Sequence, residues 1–389
     1  MTDAIKSIML AEDTISRQEL ITLCDWILEG NRLTKSTQTV DFEQEFSDWI
    51  GSKYAVFTNS GSSSNLLMIA ALKEASRLRN NKVIAASVSW VTTVAPLLQL
   101  GLEVFLCDCD PANLGLDLLH LEEICEKEKP SALMLCHVLG HANHMDEILA
   151  ICKRHDVILL EDSCEALGSV FKDKKLGTIG VAGSFSFYYG HHISTIEGGM
   201  VVTDDSDLHQ VMLSLRSHGW SRDLSPERRD VLTYQYQVDE FRNLYTFYYP
   251  GYNLRSTDLQ AFIGRSQLKK LDEITKIRSR NFEHYSELLD GYFTQASNTK
   301  ILSSFAYGTF VKNRMEVFEV LKAASIECRP LICGNIARHP FWLKTQGALA
   351  LPNADKVHDF GIYLPNHHNL TRTDIERVAE TFTQIAIPT

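Results

Sequence analysis

Two adjacent histidines, His191 and His192, lie in the stretch SFSFYYGHHISTIEGGM, which covers residues 184–200. An unperturbed imidazole titrates near pH 6.5, so either side chain has the chemistry of a general base or acid. Histidines 137, 141 and 144 occur in CHVLGHANH, and imidazole is also a zinc ligand. Adjacent histidines alternate faces on an extended strand, however, and the cysteines are not paired at zinc spacing. For His191 and His192 we therefore expect a role in proton transfer, or else a half-buried imidazole whose hydrogen bonds are formed within the fold. We expect no metal site.

Two more stretches carry polar groups at the point where an apolar strand ends. TNSGSSSNLL, residues 58–67, passes from a strand to a helix through small hydroxyl residues. The free N–H groups at such a helix start form an anion site, although Ser62 or Ser63 as a plain N-cap explains the same pattern. ILLEDSCEALGS places Glu161 and Asp162 after a strand, where open α/β sheets bind ligands. A carboxylate there pairs with a cationic ring nitrogen, or else it is a solvated or helix-capping acid.

The elements that carry these stretches alternate between strand and helix. KVIAASVSWVTTVAPLLQLG has the pattern of a strand, a turn and a helix, and SALMLCHVLG with the following MDEILAICKRHD repeats it. The alternation predicts an α/β fold with a mostly parallel sheet and helices on both faces. After about residue 265 the strand signals become fewer. We expect a large domain over residues 1–262, whose N-terminal helices can pack with a smaller α+β domain over 263–389. Thr371 or Thr373 should cap the last helix.

Composition and charge narrow the functional classes. The 389 residues carry a formal net charge of -11 without a Lys/Arg-rich run, which argues against a nucleic-acid partner. The N-terminal stretch is polar, and the longest apolar run is too interrupted for a membrane span. Nine scattered cysteines, an odd number, suit a reducing compartment. We expect a cytoplasmic protein without a membrane partner.

Five motifs follow one another along the chain: SGSS, SVSW, EDSCEALGS, SFSFYYGHH with EGG, and GYNLRSTDLQA. In this order they resemble, over nearly the full length, the family of sugar aminotransferases that act on nucleotide-linked keto-sugars with pyridoxal phosphate. VDFEQEFSDWIGSKYAVFTNSGSSS is similar to family sequence throughout. The resemblance implies fold type I, the aspartate-aminotransferase-like architecture, with the cofactor bound in the large domain.

The resemblance assigns roles to the residues that match these motifs. Gly61, Ser62 and Ser186 should hold the cofactor phosphate, and Trp90 should stack on the pyridine ring. Asp162 should pair with the ring nitrogen and keep it protonated, which makes the ring an electron sink.

Four further positions take roles from the same resemblance. Glu165 stands where the family usually has glutamine, near the ring hydroxyl. Asn253 should reach the cofactor phosphate of the neighbouring subunit, which implies a homodimer with shared active sites. His218, in LRSHGWSRDL, either assists protonation of the leaving group or is a loop histidine. Arg329 either contacts a diphosphate, which suits an arginine fork, or forms a surface salt bridge.

The family lysine that binds the cofactor covalently is replaced by His191, and no lysine occurs between Lys175 and Lys269. Pyridoxal 5'-phosphate and pyridoxamine 5'-phosphate would then be held without a covalent bond. SFYYGHHISTIEGG is very similar to a branch of the family in which histidine replaces lysine. That branch removes the C3′ hydroxyl of GDP-4-keto-6-deoxy-D-mannose in colitose biosynthesis and releases ammonia. It regenerates pyridoxamine phosphate from L-glutamate.

Three alternatives stay open. A 3-dehydratase for CDP-linked sugars also has histidine here, but it needs an iron–sulfur cluster held by four cysteines after this segment, where only Cys328 and Cys333 occur. A silent sugar-nucleotide-binding relative would have no need for Asp162. An ordinary aminotransferase with His191 as its base would share the first half-reaction. Neither the nucleotide nor the sugar configuration is identified by a local motif.

Overall fold

The computed structural model describes residues 6–389, which form fifteen α-helices and twelve β-strands. The helices are α1 (Arg17–Leu28), α2 (Thr37–Ile50), α3 (Gly61–Glu74), α4 (Val91–Gln99), α5 (Leu118–Glu128), α6 (Met145–His155), α7 (Ser206–Arg216), α8 (Pro226–Gln235), α9 (Glu240–Asn243), α10 (Asp258–Leu268), α11 (Leu271–Leu288), α12 (Arg314–Ala323), α13 (Pro340–Gln346), α14 (Pro352–Phe360) and α15 (Arg372–Thr383). The strands are β1 (Tyr54–Thr58), β2 (Lys82–Ala86), β3 (Glu103–Cys107), β4 (Ala132–Cys136), β5 (Ile158–Asp162), β6 (Val170–Phe171), β7 (Lys174–Lys175), β8 (Ala182–Ser186), β9 (Gly199–Thr203), β10 (Tyr307–Phe310), β11 (Arg329–Pro330) and β12 (Gly361–Leu364).

Within the described range, seven strands form one sheet in the order β1-β9-β8-β5-β4-β2-β3. β9 is antiparallel to its neighbours β1 and β8, and the other pairings are parallel. β4, β8 and β9 are buried along their whole length, as expected for strands that are covered on both faces. The predicted α/β class with a mostly parallel, mixed sheet is confirmed.

Aromatic side chains join α2 to the edge of this sheet. The ring centroid of Phe42 lies 5.0 Å from that of Phe57, and Phe46 lies 5.4 Å from Phe185. All four side chains are fully buried, so truncating one to alanine should cost roughly 3–5 kcal/mol. A Cβ on Gly264 of α10 would lie 2.6 Å from the ring of Phe42. Glycine at this position therefore lets α10 pack directly on α2, and this packing supports the ends of β1 and β8.

A second, antiparallel sheet of the order β10-β12-β11 lies in the C-terminal part of the chain. Thr371 caps α15 in a capping box with Asp374, so the first of the two predicted caps is confirmed. The N-terminal segment packs against the same region, because Ile8 bridges to Ile326 and Lys6 binds Asp374 at 2.7 Å.

The division of the chain into two domains at residue 262 stays a prediction. Among residues 6–389, the helices are too short or too polar to cross a membrane.

Candidate active site

A cavity of 580 Å³ lies at the edge of the sheet where the parallel strands β1, β2, β4, β5 and β8 end. Parallel strands place their carboxyl ends side by side, so the residues that follow each strand meet at this edge. The volume falls in the range of small-molecule sites. The sequence-predicted residues that line the cavity are Gly61, Ser62, Trp90, Asp162, Glu165, Ser186, His191 and Arg329.

The start of α3 forms an anion cradle beside the end of β8. Ser60 caps the helix and accepts a hydrogen bond from the N–H of Ser63 at 3.1 Å, so the alternative prediction of Ser62 or Ser63 as the N-cap is wrong. A Cβ on Gly61 would lie 2.6 Å from the Cβ of Ser186, and glycine leaves this space free. The N–H groups of the first turn, the helix dipole and the two serine hydroxyls together suit a phosphate.

Asp162 is the last residue of β5, and its carboxylate accepts from several donors. Oδ2 accepts at 2.7 Å from Asn65 Nδ2 and at 2.7 Å from Thr93 Oγ1, while Oδ1 accepts from the N–H of Cys164 at 3.2 Å. Asn65 is itself oriented by the hydroxyl of Ser184, which donates to its Oδ1 at 2.5 Å. This network fixes the carboxylate in one orientation at the cavity floor. Asn65 and Thr93 were not predicted from the sequence, although an asparagine in the otherwise apolar NLLMIAAL was an available signal.

Aromatic side chains form the rim of the cavity. Trp90 is the N-cap residue of α4, and its side chain is 56% exposed. Tyr188 and Tyr189 line the same cavity and are 51% and 43% exposed, and neither was predicted from the sequence as a site residue. An exposed indole at this position offers its face to a planar ring.

His191 lies in the loop after β8, and one of its ring nitrogens is already engaged. Nδ1 lies 2.9 Å from the carbonyl oxygen of Cys164, which can only accept, so Nδ1 carries the proton of the neutral ring. Nε2 therefore keeps its lone pair for a ligand. Burial, together with the positive charge of Arg278, lowers the pKa of His191 to about 4. At pH 7 the side chain is a neutral base.

His192 has a different environment from its neighbour. It is fully buried, and one ring nitrogen, Nε2, contacts the carbonyl oxygen of Ser303 at 2.9 Å. Burial lowers the pKa of His192 well below its usual value. His137 is also buried, where it binds Glu161 at 3.0 Å. Over residues 6–389, His, Cys, Asp and Glu side chains do not assemble into a group of three that could hold a metal.

Glu165 lies three residues after Asp162 on the wall of the cavity. Its Oε2 accepts a hydrogen bond from the N–H of Leu139 at 2.8 Å. Burial raises the pKa of Glu165 to about 8, and the negative charge of Asp162 adds to this effect.

Arg329 and the N-terminal segment form the outer wall. Residues 9–11 line the cavity together with Arg329 and Glu327. The guanidinium of Arg329 pairs with Glu327 and donates to the carbonyl of Cys328 at 3.0 Å. Glu327 also accepts from the N–H of Leu10 at 3.0 Å. The salt bridge that the sequence analysis considered is therefore present, and the diphosphate contact stays a prediction.

His218 and Asn253 are not part of this cavity. Both are exposed, and Arg255 lies between them, with Nη2 at 3.3 Å from His218 Nε2 and Nε at 3.2 Å from Asn253 Oδ1. They flank a second cavity of 370 Å³. Its cationic lining residues are Arg32, Lys35, Arg222 and Arg255. The predicted roles of His218 and Asn253 in the first cavity stay predictions, which a second subunit would have to fulfil.

The sheet order and the cavity at the strand ends define an aspartate-aminotransferase-like protein of fold type I, as predicted. Residues 14–383 match the model of the DegT/DnrJ/EryC1/StrS aminotransferase family, and the chain belongs to this family.

One relative and two solved structures illustrate the similarity. The chain is 36% identical over 371 residues to GDP-4-keto-6-deoxy-D-mannose 3-dehydratase from Yersinia pseudotuberculosis, with 92% of this chain and 93% of that protein covered. The solved structure of GDP-4-keto-6-deoxy-D-mannose-3-dehydratase from E. coli with bound hydrated PLP has a TM-score of 0.88 at 33% identity, and the alignment covers 97% and 99% of the two chains. A structure of GDP-4-keto-6-deoxymannose-3-dehydratase with a trapped PLP-glutamate geminal diamine has a TM-score of 0.87 at 33% identity, covering 96% and 99%.

Proposed function

We propose that this protein is a 3-dehydratase that removes the C3′ hydroxyl of GDP-4-keto-6-deoxy-D-mannose with pyridoxamine phosphate as cofactor. The products are GDP-4-keto-3,6-dideoxy-mannose and ammonia, and L-glutamate regenerates the cofactor, as in colitose and O-antigen dideoxysugar biosynthesis. The observation that carries the proposal is His191, which keeps Nε2 free in a cavity whose described lining residues include no lysine. The similarity to 3-dehydratases that bind PLP and glutamate adds support.

The cavity residues fit a pyridoxal-type cofactor. Gly61, Ser62 and Ser186 would hold the phosphate, since the cradle at the start of α3 exists only because Gly61 lacks a Cβ. Asp162 would pair with a protonated ring nitrogen, and Trp90 would cover one face of the ring. Because His191 cannot bind the cofactor covalently, non-covalent contacts such as these supply the whole affinity.

When bound, pyridoxamine phosphate supplies an amine for the 4-keto group of the sugar and a ring that accepts electrons. The task of the protein is proton transfer at Nε2 of His191, which is neutral at pH 7 and takes a proton from the bound ligand. The hydrogen bond from Nδ1 to Cys164 keeps the imidazole in the required tautomer and orientation. A lysine at this position would compete for the same carbonyl group and displace the amino product.

A second copy of the chain completes the site in this proposal. Asn253 reaches the cofactor phosphate of the neighbouring subunit, and His218 assists protonation of the departing hydroxyl. Arg329 contacts the diphosphate of the nucleotide, to which a guanidinium fork is suited. The net charge of -11 supports a small-molecule substrate rather than nucleic acid, and the nine free cysteines support a cytoplasmic location.

Product analysis tests the proposal. The purified protein is mixed with pyridoxal phosphate, L-glutamate and GDP-4-keto-6-deoxy-D-mannose, and the products are analysed by mass spectrometry while ammonia is assayed in parallel. We expect a nucleotide sugar that is lighter by one oxygen, with ammonia released in step. An amino sugar would instead indicate an aminotransferase. Absence of any sugar product, despite conversion of the cofactor by glutamate, would favour a different nucleotide sugar or a binding protein.

A further inference from the structure

Glu165 is an acidic side chain of the cavity wall, and no cation is among the groups that interact with it, although Arg329 lines the same cavity. It is half-buried three residues after Asp162. The titratable groups that interact with it are the carboxylate of Asp162, the thiols of Cys136 and Cys333 and the phenol of Tyr363. Burial raises the pKa of both thiols and of the phenol, so these groups are neutral at pH 7. Within residues 6–389, this set contains no ammonium or guanidinium group.

Asp162 and Glu165 differ in the number of hydrogen bonds that they accept. The carboxylate of Asp162 accepts from Asn65, Thr93 and a backbone N–H. Glu165 accepts only from the N–H of Leu139 among the described residues. Two carboxylates in one cavity repel each other, so the one with fewer donors keeps its proton to higher pH. The raised pKa of Glu165, about 8, agrees with this assignment.

We propose that Glu165 acts as a neutral carboxylic acid that donates a hydrogen bond to an acceptor oxygen of the bound cofactor. This role rests on the proposed function, because the cofactor supplies the acceptor. The N–H of Leu139 occupies Oε2, so the proton belongs on Oε1, the oxygen that remains for a ligand. A protonated carboxyl then replaces the amide of the glutamine that is usual at this position, since both groups have one acceptor and one donor. An ionised Glu165 could only accept and would repel an oxygen ligand.

The proposal has a specific consequence for pH dependence. As the pH rises through about 8, Glu165 loses its proton, and the cavity gains a second negative charge beside Asp162. Affinity for the cofactor should then fall by up to about tenfold for each further pH unit. A glutamine at position 165 has no proton to lose, so this part of the pH dependence should disappear in Glu165→Gln.

The protonation state can be measured in the cofactor-free protein. Carbon-13 NMR of protein labelled at the glutamate carboxyl carbon is recorded from pH 5 to pH 9.5 for the wild type, Glu165→Gln and Glu123→Gln, in which an exposed glutamate serves as the control. We expect one signal with a midpoint near pH 8 in the wild type and in Glu123→Gln but not in Glu165→Gln. If every glutamate carboxyl of the wild type titrates below pH 6, Glu165 is ionised and the proposal is wrong.

Cofactor binding tests the donor role separately. Equilibrium dialysis with pyridoxal phosphate at pH 7 and pH 9 should give a Kd that rises about tenfold in the wild type and less than twofold in Glu165→Gln. Because the cofactor changes its own protonation state equally in both measurements, the difference between the two proteins reports on Glu165 alone. An equal rise in both proteins would overturn the donor role, whatever the NMR midpoint. If the wild type binds no pyridoxal phosphate at either pH, the proposed function fails instead, and the NMR titration still decides the protonation state.

Discussion

The cavity at the strand ends and the surface around His218 both contain polar residues that contact one another within the chain, but those of the cavity are more buried. In the cavity, Asp162 accepts from three donors and His191 is oriented by a backbone carbonyl. At the surface, Asn253 is exposed and Arg222 lies 5.5 Å from the ring of Trp220, while neighbouring aromatic side chains are largely uncovered. The cavity therefore has the fixed geometry of a binding site, whereas the surface around His218 presents exposed polar and aromatic side chains that suit a contact with another molecule.

In the proposed function, the cavity of one chain holds the cofactor and moves a proton, and the surface around His218 and Asn253 serves the site of a second copy. Buried polar groups keep their geometry only when they are satisfied from within the fold. Arg222 is exposed and Arg255 is partly exposed, so the guanidinium groups of this surface can contact a phosphate.

Among substitutions of Asp162, Asn253 and Trp90, the change of Asp162 to asparagine should have the largest effect. The amide cannot balance the charge of a protonated ring nitrogen, and its N–H₂ group would face the donors Asn65 and Thr93. We expect turnover to fall about 10³-fold, because the electron-accepting state of the ring loses its charge partner. Product formation by mass spectrometry and cofactor binding by absorbance measure the two consequences. Turnover within a few-fold of the wild type would exclude Asp162 as the ring partner.

Replacing Asn253 with alanine should lower turnover about 10- to 100-fold if the side chain serves a neighbouring subunit. Asp162→Asn and Asn253→Ala should then complement each other, because a mixed dimer contains one site with neither substitution. Co-expression with two affinity tags isolates this dimer, and its turnover should recover well above that of either parent. Without any recovery, Asn253 would act within its own chain or not at all, and the comparison of the two regions would lose its basis.

Trp90→Ala should have the smallest effect of the three. Loss of a stacked aromatic ring costs about 0.5–1.5 kcal/mol, so the Kd for pyridoxal phosphate should rise roughly 3- to 10-fold. Trp90→Phe keeps an aromatic face and is the matched control. We expect it to lose less than half of the binding free energy that Trp90→Ala loses. Equal Kd values for the alanine variant and the wild type would show that the rim does not contact the ring.

The parts of the site that could be predicted from the sequence are those set by local geometry. Asp162 ends a strand and Gly61 begins a helix, so both were expected at the carboxyl edge of a parallel sheet, and the structure places them there. The predicted N-cap of α3, Ser62 or Ser63, was wrong by two or three residues. Ser60 and the three serines that follow Gly61 are all suitable N-cap residues, and only the backbone angles of the folded chain decide which one caps the helix.

The remaining parts depend on tertiary packing. Asn65 and Thr93 lie 97 and 69 residues from Asp162 in the sequence, and they meet it only after α3 and α4 have packed beside β5. The same holds for Glu165 and Leu139, whose hydrogen bond joins two loops. The neutral state of His191 depends on burial and on Arg278 of α11, neither of which the sequence around position 191 reveals.

The most direct test of the central claim compares the products of the wild type and His191→Lys under the conditions described above. His191→Asn serves as the control for loss of the imidazole alone, and its dehydration rate should fall about 10²- to 10⁴-fold. We expect the wild type to release a deoxygenated nucleotide sugar with equimolar ammonia. His191→Lys should bind the cofactor covalently and lose dehydration by a similar factor. Dehydration by His191→Lys at the wild-type rate would contradict the account, because the choice of reaction would then not depend on the side chain at position 191.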